Sequence, residues 1–376
     1  MTVSPSPTAP LVAVVGATGL QGGSVIAALE ASDRPYRIRA FTRDARKAAA
    51  QKLAARGVEL VELSLTVENA EQVKAAFVGA DFIFLMTNFW EHTDMHREIA
   101  EGKMLIDACA SASSPPRGVI WSGLPSPSTI SAGKYTKVYH FDGKAQITSY
   151  ARTTHPSLPF VNVPSGLYMS NFTATAPGWR MIYPVPYVPG VYVLALPVSP
   201  QGRLPLIDVE RDYGLWVRGV IEKDVFPAGE DVNTVSEWLA VEDIANMISK
   251  GPLRFQRLLE VPGCRRVLQL RTGTGKRVVY KEVKMEKWID MVVATGTPHF
   301  VAEDLAQSMR YFDEFGYYGK QPTAPLEDLA RRPRTFREFV KTSDWKDVFP
   351  AGGLISRAIG AVFGGFMAFV IRQVPL

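Results

Sequence analysis

Short apolar runs alternate with longer stretches of helical spacing through the first half of the chain. LVAVVG (11–16), RIRAFTR (37–43), VELVELS (58–64), DFIFLMTN (81–88), RGVIWSG (117–123) and PFVNVPSG (159–166) read as six strands. Between them, 20–31, 44–56, 67–78, 93–112 and 142–152 carry helix-like spacing. Nearly continuous apolar strands separated by helices predict a parallel sheet covered on both faces. Right-handed crossovers then make it a doubly wound α/β fold of the Rossmann type.

The rhythm breaks after about residue 172. Residues 177–206 are rich in Pro, Gly and Tyr, 210–222 and 241–250 carry helical patterns, and 272–283 reads as an exposed strand pair or hairpin. The expected organisation is a disordered lead (1–10), a Rossmann domain (11–172) to which later segments are free to return, a smaller mixed α/β domain for substrate or partner (173–350), and an apolar tail (351–376).

Composition narrows the class. Apolar residues make up 47% and charged residues 21%, an ordinary globular balance. The net charge of +5 is spread along the chain. It suits anionic small molecules better than nucleic acid, which asks for a denser basic stripe. Two distant cysteines, Cys109 and Cys264, make no disulfide framework. His92 and His96 are spaced to share a helix face, but no third ligand accompanies them, so no metal is expected. The start lacks a signal-peptide pattern, and a cytoplasmic setting is expected, with the nucleus left open. The fourteen apolar residues 358–371 are too few to span a bilayer. They suit packing on the protein or a partner, a homodimer included, or an interfacial helix on a membrane surface.

The chemistry starts at the first strand-to-helix turn, Gly16-Ala17-Thr18-Gly19-Leu20-Gln21-Gly22. Gly16 permits the tight turn, Gly19 lets backbone approach a diphosphate, and Gly22 allows close packing of the helix. Backbone N–H groups and the helix N-terminus then face the anion. The second strand ends in Thr42-Arg43, with Arg46 and Lys47 close behind. An acid there would favour a ribose 2′-OH, whereas a guanidinium forks onto a 2′-phosphate. Arg43 therefore points to NADP(H). Its plainer alternative is a surface arginine paired with Asp44 or Glu59.

These segments, with MTNFWE (86–91), WSGL (121–124), HFDGK (140–144) and PSGLYMSNF (164–172), resemble the NmrA-like family, atypical members of the short-chain dehydrogenase/reductase superfamily. The likeness runs more weakly through 232–245 and on to about residue 345. It implies that Thr87 and Asn88 line the ribose and pyrophosphate, that Lys144 reaches the nicotinamide ribose, and that Tyr168 and Asn171 face the nicotinamide. Leu63-Ser64 stand where the family often has a Gly-Asp pair near the adenine, a departure from the family pattern.

The superfamily's YxxxK pattern uses lysine to lower a tyrosine pKa for proton transfer. The residue four before Lys144 is His140, and Tyr139 is turned about 100° away on a helix. One expectation is an NADPH-dependent reductase of a small carbonyl or conjugated alkene. In it His140 carries the proton, Lys144 assists and Ser122 bonds the substrate oxygen. The other is a non-catalytic sensor that reports NADPH/NADP⁺ to a regulated protein. Phe89, Trp90, Tyr183, Tyr187 and Tyr192 are candidates for covering a ligand or for packing between domains.

Overall fold

The computed structural model describes residues 3–4, 6–111, 114–186, 188–249 and 276–350. Tyr187, Cys264 and the apolar tail 351–376 lie outside the described residues. Strands and helices alternate as β1 (Leu11–Val14), α1 (Leu20–Glu30), β2 (Arg37–Thr42), α2 (Ala48–Ala54), β3 (Glu59–Glu62), α3 (Ala70–Phe77), β4 (Phe82–Leu85), α4 (Phe89–His92), α5 (Met95–Ala110), β5 (Gly118–Trp121), α6 (Pro127–Ile130), α7 (Tyr139–Thr154) and β6 (Phe160–Asn162). There follow β7 (Leu167–Tyr168), β8 (Ile182–Pro184), β9 (Val191–Leu196), β10 (Arg203–Ile207), α8 (Val209–Glu222), β11 (Glu237–Ala240), α9 (Val241–Ser249), β12 (Arg277–Glu282), α10 (Met285–Val293), α11 (His299–Phe315) and α12 (Phe336–Thr342).

The expected sheet is present. Six strands pair in the order β3-β2-β1-β4-β5-β6, and every pairing is parallel. Each strand buries both faces where it can, which is why β1, β4 and β5 are wholly buried four-residue runs. One face packs Val25, Ile26 and Leu29 of α1 with Tyr213, Trp216, Val217 and Val220 of α8. The other packs Val73 and Phe77 of α3, Leu105 and Cys109 of α5, and Ile147 and Ala151 of α7. Cys109 is fully buried, and burial pushes its thiol far up, so it behaves as a core residue.

The chain divides into two compact units. The first comprises Met1–Tyr168, Ile207–Ser236 and Tyr317–Arg334; the second comprises Met169–Leu206, Glu237–Gly316 and Thr335–Leu376. In the first, α8 lies against α1 so closely that a Cβ on Gly214 would collide with the Ser24 carbonyl, and the Gly214 N–H donates to Ser24 Oγ at 3.0 Å. The segment before Arg334 is tied to α8 by buried carboxylates. Arg331 reaches Asp212 at 2.6 Å and Arg334 reaches Asp208 at 2.7 Å.

In the second unit β9 pairs antiparallel with β8 and parallel with β12, and β10 pairs antiparallel with β11. Of the strand pair or hairpin expected over 272–283, residues 272–275 lie outside the described residues. Residues 277–282 form one strand whose partner is 86 positions away, Arg277 facing Val191. Tyr183 and Tyr192 are buried here, the first donating to the Arg180 carbonyl at 2.7 Å, the second packed on Phe349. Among the described residues, no helix is long and apolar enough to cross a membrane.

Candidate functional site

Parallel strands deliver their carboxyl ends to one edge of the sheet, and the strand order reverses between β1 and β4. Open α/β sheets bind ligands at such a switch. Gly16 turns the chain there with φ of +69°, a region that suits glycine. A Cβ at Gly16 would come 2.7 Å from Met86 Sδ, and one at Gly22 would fall on the Gly16 carbonyl and 2.8 Å from Ala17 Cα. Gly22 thus lets the helix close onto its own loop. Thr18, Gly19 and Leu20 are exposed while Ala17, Gln21 and Gly22 are buried, so a strip of bare backbone faces outward. Gly19 is the N-cap of α1; no side chain caps the helix and no acid occupies its first turn. The N–H groups of that turn are left for an anion.

Gln21 also has a side-chain task that its place in the loop does not reveal. Its Nε2 donates to the Tyr168 hydroxyl at 2.9 Å. Burial raises the Tyr168 phenol to about 12, against the lowering influence of Gln21 and Ser165. Asn171 belongs to the second unit, in the turn Met169–Thr173.

At the end of β4, Thr87 is buried and Asn88 is exposed as the N-cap of α4. Lys144 comes to Thr87 from α7. Its Nζ donates to Thr87 O at 2.9 Å, Thr87 Oγ1 at 2.8 Å and Glu98 Oε1 at 2.6 Å. Thr87 Oγ1 itself donates to Glu98 Oε1 at 2.7 Å. An ammonium has three donors, so all three are engaged. The Lys144 and Glu98 side chains are only 12% and 3% exposed, so the charges cancel out of water. Glu98 Oε2 is buried with no hydrogen-bond partner among the described residues. Gly143 makes the approach fit, since a Cβ there would stand 3.0 Å from that oxygen.

Glu98 went unnoticed in the sequence, yet a signal was present. It sits with Gly102, Leu105, Ile106 and Cys109 on the buried stripe of α5, an acid where apolar spacing predicts core.

His140 lies in the first turn of α7. Its ring is 4.9 Å from Trp90, 4.7 Å from Phe141 and 6.0 Å from Phe89. The aromatic pair of the MTNFWE segment therefore packs on the histidine. Ser122, after β5, is buried near the Tyr213 phenol, which burial pushes far up and which donates to Val163 O at 2.8 Å.

Arg43 differs from both of its plainer pairings. Glu59 is taken by Arg39 at 2.9 Å and Asp44 by Arg46 at 3.1 Å. Arg43 instead pairs with Glu91 of α4. His92 and His96 do not share a helix: His92 ends α4, Thr93 turns with φ of +52°, and Asp94 caps α5. No group of three His, Cys, Asp or Glu suited to a metal occurs among the described residues.

Known proteins resemble this chain in sequence and in fold. An NmrA-like family domain-containing oxidoreductase of Aspergillus campestris is 29% identical over 335 residues, covering 85% of this chain and 88% of its own. The solved structure of NmrA, a negative transcriptional regulator, in complex with NADP superposes with a TM-score of 0.63 at 22% identity, covering 94% and 98% of the two chains. An NADPH-dependent quinone oxidoreductase from Escherichia coli in complex with NADPH gives a TM-score of 0.63 at 18% identity, covering 88% and 98%. The family model for NmrA-like proteins matches residues 8–340, through the glycine loop, the α4 segment and the α7 lysine alike. This chain belongs to the NmrA-like family.

Proposed function

We propose that this protein binds NADP(H) along the carboxyl edge of its six-stranded sheet and is an oxidoreductase of a small carbonyl or conjugated-alkene metabolite. One observation carries the cofactor assignment: an uncapped α1 N-terminus behind a glycine loop, with the Arg43 guanidinium 65% exposed at the end of β2. Those groups fit a diphosphate and a 2′-phosphate respectively. In this reading Gly16 to Gly22 line the pyrophosphate, Thr87 and Asn88 the ribose, and Tyr168 and Asn171 the nicotinamide end. Bound NADPH supplies a hydride. His140 is the proton source, Ser122 orients the substrate oxygen, and Lys144 holds Thr87 and the end of β4 in place. The names of the Aspergillus and Escherichia coli proteins support the reductase chemistry.

A second reading has an observation of its own. Because all three Lys144 donors are engaged with Thr87 and Glu98, the lysine offers nothing further to a ribose or a substrate in this arrangement. That favours a bound but idle cofactor whose redox state is reported to a protein partner, in line with the regulator NmrA.

Calorimetric titration with NADPH, NADP⁺ and NADH, followed by a turnover screen on quinones and enones, separates the two. NADPH should bind at least about tenfold more tightly than NADH, and Arg43→Ala should erase that gap. Equal affinity, or none, removes the assignment. Turnover abolished by His140→Ala, with NADPH affinity and melting temperature kept, supports the reductase. Tight binding with no turnover, and a partner whose affinity follows cofactor redox state, supports the sensor.

A further inference from the structure

We propose that Glu91 is a specificity residue of the dinucleotide site, holding Arg43 as an internal substitute for a 2′-phosphate and offering its carboxylate to an unphosphorylated ribose. The proposal rests on the reading of the glycine loop as a dinucleotide site.

Arg43 follows β2, and Glu91 lies in α4, which follows β4. β2 and β4 flank β1 in the sheet. The Arg43–Glu91 pair therefore joins the carboxyl ends of the two strands on either side of the glycine loop. The neighbouring guanidiniums behave differently. Arg46 pairs with Asp44, two residues away, and Arg39 with Glu59 on the adjacent strand. Of these three arginines, Arg43 is the one that reaches across β1.

The chemistry of the pair follows from its setting. The side chains are 65% and 34% exposed, and an ion pair standing in water contributes little. A phosphate takes the same guanidinium through two charge-assisted bonds and carries more charge than a carboxylate. A 2′-phosphate therefore displaces Glu91 from Arg43, and a bare ribose does not. Sites for unphosphorylated dinucleotides place an acid at the end of the second strand to accept the 2′-OH. Here β2 ends in Thr42 with Arg43 directly after it, and the carboxylate arrives from α4 instead. Held there by Arg43, with His92 Nε2 at 3.7 Å from the same oxygen, it can serve as the acceptor. One cation and one anion then read the two forms of the ribose.

The test uses the full chain and calorimetric titration of NADPH and NADH on wild type, Glu91→Gln, Glu91→Ala, Arg43→Ala and the Glu91→Gln/Arg43→Ala pair. Glu91→Gln should tighten NADPH about three- to tenfold, because no carboxylate competes for the guanidinium, and should weaken NADH. Glu91→Ala should do the same, and both should melt close to wild type because a partly exposed ion pair contributes little to stability. The NADPH gain should shrink in high salt and vanish when Arg43 is absent. NADPH and NADH affinities that both stay within twofold of wild type, or that move together, overturn this proposal alone. Wild-type protein that binds neither dinucleotide overturns the dinucleotide reading and this proposal with it.

Discussion

Lys144 and Glu98 show how a residue's type can be legible while its task is not. HxxxK marks Lys144 as a candidate for cofactor or proton work, and the folded chain ties its ammonium to Thr87 and to a carboxylate that is 3% exposed. A buried ion pair need not stabilise a fold, yet breaking one leaves an unpaired charge out of water. Glu98→Leu and Lys144→Met should therefore each cost about 3–5 kcal/mol in denaturant unfolding. Glu98→Leu combined with Lys144→Met should cost clearly less than the sum of the two single changes, because no charge is left behind. Additive losses would show that the two side chains do not act as a pair. Gln21 teaches the same lesson on a smaller scale: its backbone belongs to the glycine loop, while its side chain secures Tyr168.

Among elements, the α1–α8 contact decides whether the loop is held. α1 carries the glycine loop at its start, and α8 crosses it with no Cβ at Gly214 to keep the backbones apart. An alanine at 214 would gain up to about 1 kcal/mol of helix propensity over glycine. It would also press a methyl into the Ser24 carbonyl and to 2.8 Å from the Val25 amide, both backbone atoms that cannot rotate away. Overpacking of this kind costs about 1–3 kcal/mol, so Gly214→Ala should lower the melting temperature despite the better propensity. A higher melting temperature would show that the helices separate at no cost. α5 is read from the same physics. Its apolar stripe is clear, and Glu98 on that stripe is the one position where charge interrupts it.

At the scale of the whole molecule, the first unit is discontinuous. All six strands lie within residues 11–162, but one face of the sheet is covered by α8, and α8 is in turn anchored through Asp208 and Asp212 to Arg334 and Arg331. A fragment of residues 1–168 would expose the face that Tyr213, Trp216, Val217 and Val220 bury. It should show no cooperative thermal transition by circular dichroism, whereas a sharp transition would mean that the sheet needs neither segment. The chain leaves the first unit after Tyr168 and comes back to it twice. The return of 207–236 and 317–334 has no local signature, because a helix that completes a distant sheet looks like any other amphipathic helix.

Local periodicity and turn chemistry alone determined the six strands, their parallel sense, the glycine loop after the first and the basic end of the second. Those features follow from backbone geometry and from burial of both sheet faces, which act over a few residues at a time. The tertiary structure alone decided which charge meets which. Arg43 finds Glu91 at a separation of 48 residues, and Lys144 finds Glu98 at 46. Such partners are set by which strands become neighbours and how far a side chain reaches from the carboxyl edge, and no spacing rule along the chain encodes that distance.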